Sequence, residues 1–219
     1  FYSTGCITID PNNHDKIWLG TGENVGGRHV GMGHGIFVSH DSGDTWADMG
    51  LNESEHISKI IVHPDNSNII WVASQGPLWN SGGDRGLFKS IDGGKTWSNK
   101  LYVNEWTGVT DLLIDPKNPD ILYAATWQRH RNVAALIDGG PGTSIYKSLD
   151  GGDNWEKIDS GLPSSNMGKI GLAISPMRPN VIYAAIELDR RNGAVYRSEN
   201  SGGTWIKMSN TVSGGTGPH

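Results

Sequence analysis

The sequence predicts an all-β chain: a β-propeller with four blades, each of four antiparallel strands. Three observations predict it. One short phrase occurs four times, as Ser39-His-Asp41-Ser-Gly43-Asp-Thr45-Trp46, Ser90-Ile-Asp92-Gly-Gly94-Lys-Thr96-Trp97, Ser148-Leu-Asp150-Gly-Gly152-Asp-Asn154-Trp155 and Ser198-Glu-Asn200-Ser-Gly202-Gly-Thr204-Trp205. Its tryptophans are 51, 58 and 50 residues apart, and a period near that length marks propellers, solenoids or arrays. Between the copies lie short runs of β-branched and aromatic residues bounded by turn residues, with no long helical periodicity.

The elements recur in a fixed order. A first strand ends at a proline turn, as in Ile7 to Pro11, Ile60 to Pro64, Leu112 to Pro116 and Leu172 to Pro176. A polar turn follows, where Asn and Asp bond their own backbone and Pro presets φ. The second strand comes next, at Ile17 to Thr21, Ile69 to Ala73, Ile121 to Ala125 and Val181 to Ala185, and then a loop of variable length. The third strand runs into the phrase, and the phrase's Trp opens a short fourth strand. Four short strands per unit of this length are the make-up of a propeller blade. The blades fall at about residues 5–56, 57–107, 108–167 and 168–210, within one partial propeller domain over 1–219 that has no internal boundary. Residues 211–219 are expected as a flexible tail or linker.

The phrase has a structural job. Asp41, Asp92, Asp150 and Asn200 are expected to accept hydrogen bonds from nearby backbone amides. Gly supplies a backbone angle other residues avoid. Trp46, Trp97, Trp155 and Trp205 each bury a large ring against the blade and seek one acceptor for the indole N–H. A calcium loop needs several converging oxygen ligands, and each phrase offers one shared acid, so no metal is expected.

These phrases resemble Asp-boxes, also called bacterial neuraminidase repeats (BNR repeats), and the four units cover nearly the whole chain. With the Tyr-Ala-Ala strands, the combination is similar to the sortilin-like propellers of large secreted bacterial proteins, a group often labelled glycosyl hydrolases. Asp-boxes also occur in sialidases, xyloglucan-cleaving enzymes and a photosystem assembly factor, so the motif specifies fold strongly and function weakly. The resemblance implies an extracellular or periplasmic location and a place within a larger propeller completed by further blades of the same chain, while the exposed edges of the repeats leave pairing with a second copy open.

Composition narrows the classes. The formal net charge of −5 and the absence of a basic stripe argue against nucleic acid. No apolar run is long enough for a membrane span. The single cysteine, Cys6, excludes an internal disulfide and reads as a packed strand residue. Nothing points to a cofactor.

The variable loops, at 23–34, 75–85, 127–143 and 187–193, share one end of the blades, and such loops on a rigid scaffold are where binding resides. They carry Arg28, His29, Trp79, Arg85, Trp127, Gln128, Arg129 and Arg131, which offer stacking surface and directional donors to a polar ligand such as a sugar. They also carry four acids, Glu23, Asp84, Asp138 and Glu187, and a glycosidase needs two carboxylates across a cleft. A sialidase-type site would need a loop tyrosine, and Tyr123, Tyr146 and Tyr183 all sit in strands. The aspartate context of the xyloglucan-cleaving enzymes is not matched. The favoured expectation is therefore a binding or scaffolding module holding a glycan, peptide or protein on the variable-loop face. A glycoside hydrolase is the alternative, and a structural repeat of a surface assembly the third.

Overall fold

In the computed structural model, residues 3–24, 30–189 and 192–212 are described. Within them the ordered elements are strands, gathered into four antiparallel four-stranded sheets of propeller-blade type and one small hairpin. The first blade comprises β1 (Thr4–Asp10), β2 (Asn13–Thr21), β3 (Ile36–Ser39) and β4 (Ala47–Asp48). The second comprises β5 (Ile57–His63), β6 (Asn66–Ser74), β7 (Gly86–Ser90) and β8 (Ser98–Leu101). The third comprises β9 (Thr107–Ile114), β10 (Leu122–Gln128), β13 (Ile145–Ser148) and β14 (Glu156–Lys157), with β11 (His130–Arg131) and β12 (Leu136–Ile137) forming the extra hairpin. The fourth comprises β15 (Ile170–Ile174), β16 (Ile182–Leu188), β17 (Asn192–Ser198) and β18 (Ile206–Val212). No helix among the described residues is long and apolar enough to cross a membrane.

The chain divides into two compact units, Phe1–Val109 and Thr110–His219. Of the residues expected as a tail, Thr211 and Val212 lie in β18 and pair with β17, and 213–219 lie outside the described residues. Three residues expected in loops, Trp127, Gln128 and Glu187, lie instead at the ends of β10 and β16, whose ladders extend further than their turn signals suggest.

Each unit has its own core between two blades. In the first, Trp18, Ile36 and Val38 pack with Ile57, Ile60, Val62 and Val72. In the second, Tyr123, Ala125 and Ile145 pack with Ile182, Ile186, Tyr196 and Trp205. Full burial of each large apolar side chain is worth about 1.5–3 kcal/mol. Close approach depends on glycine at two equivalent places. A Cβ on Gly94, whose φ is +89°, would stand 2.5 Å from Trp18, and one on Gly202, φ +85°, would stand 2.4 Å from Ile158. Trp18 meets the Trp97 ring edge-on, with centroids 6.5 Å apart.

The four phrases form one hydrogen-bonded turn in four copies. The buried Ser90 hydroxyl donates to Asp92 Oδ1 at 2.8 Å and accepts the Gly94 N–H at 2.8 Å. Asp92 Oδ1 accepts the Thr96 N–H at 3.0 Å, and Oδ2 accepts the Thr96 hydroxyl at 2.6 Å. The same pattern holds around Asp41 and Asp150. In the fourth copy Asn200 Oδ1 takes the Thr204 N–H at 2.9 Å, while its amide donates to Thr204 Oγ1 at 3.0 Å, reversing the polarity of one bond. The phrase's serine, which sequence reasoning left without a role, is the hub of each turn.

Candidate functional site

Each blade has a closed end and an elaborated end. At the closed end the phrase is tied to the turn after the first strand, through the Ser42 N–H to Asp15 O, Gly93 N–H to Asn68 O, Gly151 N–H to Asp120 O and Ser201 N–H to Asn180 O, at 2.8–3.0 Å. The opposite end carries the variable loops and the blade-to-blade connections. These are also tied to each other, as by the Gly82 N–H to Glu105 O at 2.8 Å and the Gly33 N–H to Glu55 O at 2.8 Å.

In the first unit most of the expected site residues are committed to loop architecture. Arg85 is fully buried, and its five N–H donors go to the carbonyls of Gly82 at 3.2 Å, Gln75 at 2.7 Å, Trp106 at 3.3 Å, Asn80 at 3.1 Å and Pro77. Burial lowers its pKa to about 10, with Glu55 opposing. No donor remains to grip a ligand, so Arg85 serves as the rivet of the 75–85 loop. Asp84 accepts the Glu53 N–H at 3.0 Å, and Glu23 Oε2 accepts the Gly31 N–H at 3.1 Å. Trp79 stands exposed on the riveted loop. Arg28 and His29 lie outside the described residues.

The second unit gathers the remaining candidates. Trp127, at the end of β10, is buried between two cations: the Arg129 guanidinium carbon is 5.0 Å from its ring centroid and Lys169 Nζ is 5.3 Å from it. Lys169 reaches this place because the chain just before β15 pairs with the end of β16, with the Glu187 N–H bonded to Lys169 O at 3.0 Å and the Gly168 N–H to Glu187 O at 2.9 Å. The β11–β12 hairpin contributes the buried Arg131 and is turned by Asn132, whose Oδ1 accepts the Ala134 and Ala135 N–H groups. Gln128 braces the hairpin's return, since its Oε1 accepts the Gly142 N–H at 2.9 Å.

Asp138, just past β12, is buried among these charges. Its pKa is pushed up to about 7 by desolvation first and the Glu187 charge second, against the pull of Arg129, Lys169 and Arg131. Lys169 is pulled down to about 8, by burial first and then by Arg129, with Asp111, Asp138 and Glu187 opposing. Asp111 itself is fixed, its carboxylate accepting the N–H groups of Leu112 and Leu172 at 2.8 Å each. Among the described residues Asp138 Oδ1 and Trp127 Nε1 have no hydrogen-bond partner. Beside the cluster an open groove of about 310 Å³ runs along the fourth blade, lined by Lys169, Gly171, Ala185, Ile186, Glu187, Gly193 and Thr211. Titratable groups with opposed shifts beside an opening are the pattern that acid–base and binding sites share.

Of the four candidate acids, then, Asp138 and Glu187 interact, and Glu23 and Asp84 each serve backbone amides in the other unit. Lys169 escaped sequence reasoning because it precedes a strand rather than standing in a variable loop. Its one signal was an isolated lysine between Gly168 and the apolar run of β15.

Comparison with known proteins fits this architecture. The Sortilin-Vps10 family model, described as "Sortilin, neurotensin receptor 3", matches residues 34–160. Among curated proteins, a probable oligoxyloglucan-reducing end-specific xyloglucanase of Neosartorya fischeri is 28% identical over 167 residues, covering 71% of this chain. A xyloglucanase of a Paenibacillus species is 26% identical over 226 residues, covering 93% of it. The chain spans only 17% and 21% of the lengths of these two relatives. Among solved structures, an ancestral GH74 enzyme superposes with a TM-score of 0.68 at 20% identity, over 94% of this chain and 24% of the other. The GH74 xyloglucanase of Xanthomonas campestris gives 0.67 at 17%, over 93% and 29%. At such identities the superpositions speak to the propeller fold alone.

Proposed function

Because the chain belongs to the Sortilin-Vps10 family of β-propellers, we propose that it is a carbohydrate-engaging part of a propeller protein, acting outside the cell or in the periplasm on a polysaccharide of the xyloglucan kind. The observation that carries this reading is the sequence likeness to two xyloglucanases over most of the chain. The glycan would lie along the fourth-blade groove and meet the partly exposed Lys169 and Glu187. The buried Trp127, Arg129 and Arg131 hold those two groups in place rather than stacking on sugar.

A second reading, hydrolysis, is favoured by one further observation: Asp138 keeps its proton up to about neutral pH next to the Glu187 charge. Glycoside cleavage uses one protonated carboxyl to give a proton to the departing glycosidic oxygen and one ionised carboxylate for the other face of the sugar. Asp138 and Glu187 match those two protonation states in that order, and because Asp138 is buried and outside the groove lining, this reading requires the site to open around it.

The test is calorimetric titration of the chain with xyloglucan oligosaccharides, paired with an assay for new reducing ends on polymeric xyloglucan. Saturable binding that Lys169→Ala and Glu187→Ala each weaken at least tenfold supports the groove. Release of reducing ends that Asp138→Asn abolishes while binding persists supports hydrolysis. Absence of binding to any plant or bacterial polysaccharide overturns the first reading, and the second falls with it.

A further inference from the structure

What singles out Trp79 is the construction beneath it rather than its exposure. A guanidinium is destabilising to bury unless its donors are matched, and the 75–85 loop encloses that of Arg85 completely. One of its terminal nitrogens, Nη2, donates to the carbonyls of both Pro77 and Asn80, the latter at 3.1 Å. Those two carbonyls flank Leu78 and Trp79. Leu78 turns inward and is 2% exposed, and Trp79 turns outward and is 44% exposed. The loop is also tied to the connections on either side of it, through the Glu53 N–H to Asp84 Oδ2 at 3.0 Å and the Gly82 N–H to Glu105 O at 2.8 Å. The backbone that carries Trp79 is therefore fixed before a ligand arrives, which lowers the ordering cost of binding.

The neighbouring groups define the chemistry that fits this ring. Segments 75–85 and 102–106 contain one basic residue, Arg85, whose donors are spent on carbonyls, and two acids, Asp84 and Glu105. A phosphate, sulfate or carboxylate group would meet no available cation in them. Asn80 and Ser81, next to Trp79, are exposed and uncharged, and their side chains both donate and accept hydrogen bonds. Tyr102, a second exposed ring, stands in the connection that Gly82 ties down, near enough to Arg85 to act on its charge. A sugar ring needs this combination: an aromatic surface for its C–H face, and neutral amide and hydroxyl groups for its hydroxyls.

We propose that Trp79, with Asn80, Ser81 and Tyr102 around it, is a stacking platform for an uncharged sugar ring of a glycan, a second carbohydrate site made of first-unit residues alone. The ligand class rests on the carbohydrate reading above, whereas the site owes nothing to the fourth-blade groove. Trp79 and Arg85 stand together in the sequence as ligand contacts, and the structure separates their parts. Trp79 touches the sugar, and Arg85 is a positioning residue that holds Trp79 in place.

Acrylamide quenching of tryptophan fluorescence, read while the chain is titrated with xyloglucan oligosaccharides, tests it. Bound oligosaccharide is expected to shield part of the fluorescence in the wild type and equally in Lys169→Ala, and to shield none of that part in Trp79→Phe. By calorimetry, Trp79→Ala is expected to weaken this binding about tenfold and Asn80→Ala about threefold. Trp79 is exposed, so melting curves should match the wild type, and the Trp79→Phe and Asn80→Ala results decide the matter if Trp79→Ala melts early. An oligogalacturonide, the acidic counterpart, is expected to bind at least tenfold more weakly. Shielding that persists in Trp79→Phe, or an affinity unchanged in Trp79→Ala, overturns the platform and leaves the groove standing if Lys169→Ala abolishes binding. Shielding lost in Lys169→Ala also overturns it. Equal binding of the oligogalacturonide overturns the uncharged ligand, and absence of binding to either probe overturns the proposal together with the carbohydrate reading.

Discussion

Trp97 donates its indole N–H to the carbonyl of Met49, 48 residues earlier and one blade back, at 2.8 Å. This single bond links the repeated phrase to the tertiary structure. The phrase turns the chain, the turn delivers a tryptophan to the neighbouring blade, and the neighbour presents a carbonyl three residues after its own tryptophan. Trp205 and Ile158 repeat the relationship in the other unit. Replacing Trp97 with Phe keeps a ring but removes the donor, leaving a part-buried carbonyl unmatched. A loss of about 1–2 kcal/mol in urea denaturation is expected, and an unchanged midpoint would show that the bond contributes nothing.

The same junction forbids a side chain at Gly94. An alanine there would have to hold φ near +89° and place its Cβ 2.5 Å from the Trp18 ring. Strain and overpacking together cost on the order of 2–5 kcal/mol. Gly94→Ala is therefore expected to lower the melting temperature of the first unit far more than Gly82→Ala, where φ is also positive but a Cβ meets nothing within 4 Å. Differential scanning calorimetry of the two variants separates steric from conformational cost.

Inside the phrase, Asp92 is held low, at about 2, by the Thr96 hydroxyl first, then the Thr96 N–H and the Ser90 hydroxyl. A carboxylate near 3.9 when unfolded and near 2 when folded stabilises fully above about pH 4, and that contribution fades as pH falls through 2. Asp92→Asn adopts the bonding already seen at Asn200, so the turn survives without the titration. Melting temperatures of the variant and the wild type are expected to converge as pH drops from 4 to 2. Parallel curves over that range would contradict the assignment.

Arg85 offers a test of loop rigidity. Arg85→Ala strips partners from five carbonyls around the 75–85 loop at once, a cost of roughly 3 kcal/mol or more. Limited proteolysis is expected to cut the variant between Gly76 and Arg85 well before the wild type. Arg85→Lys, with three donors in place of five, should fall between them. Equal cleavage rates for all three would mean that the loop is held by other contacts.

Much of this architecture was legible in the sequence because it is local. The phrase, the proline turns and the Tyr-Ala-Ala strands each write their conformation within a few residues, and repetition removes ambiguity. The charge cluster was only half legible. Asp138 and Glu187 stood out as acids at one end of the blades, but nothing in their spacing says that they interact while Glu23 and Asp84 are spent on backbone amides. Lys169 joins Trp127 through the pairing of one blade's first strand with the next strand, a contact made 42 residues down the chain. Arg85 misled for the opposite reason. A loop arginine reads as a ligand grip until the carbonyls folded around it are seen.

Asp138 carries the last prediction. Its pKa is raised from the ordinary carboxylate range to about 7, chiefly by burial. A carboxyl that titrates near 4 unfolded and near 7 folded binds more protons in the native state between those values. Its contribution to stability is therefore greatest below about pH 4, declines as pH rises to 7, and is constant above. Asp138→Asn removes that slope, so the variant should gain stability relative to the wild type between pH 4 and 7 and keep the gain at pH 8. Thermal melts at intervals of one pH unit read this directly, with Glu187→Gln as the companion variant. Removing the Glu187 charge takes away the second cause of the shift, so the decline should still start near pH 4 but finish at lower pH than in the wild type. If Asp138→Asn leaves the pH profile of melting unchanged, Asp138 is ionised throughout the neutral range and has no proton to give to a glycosidic oxygen.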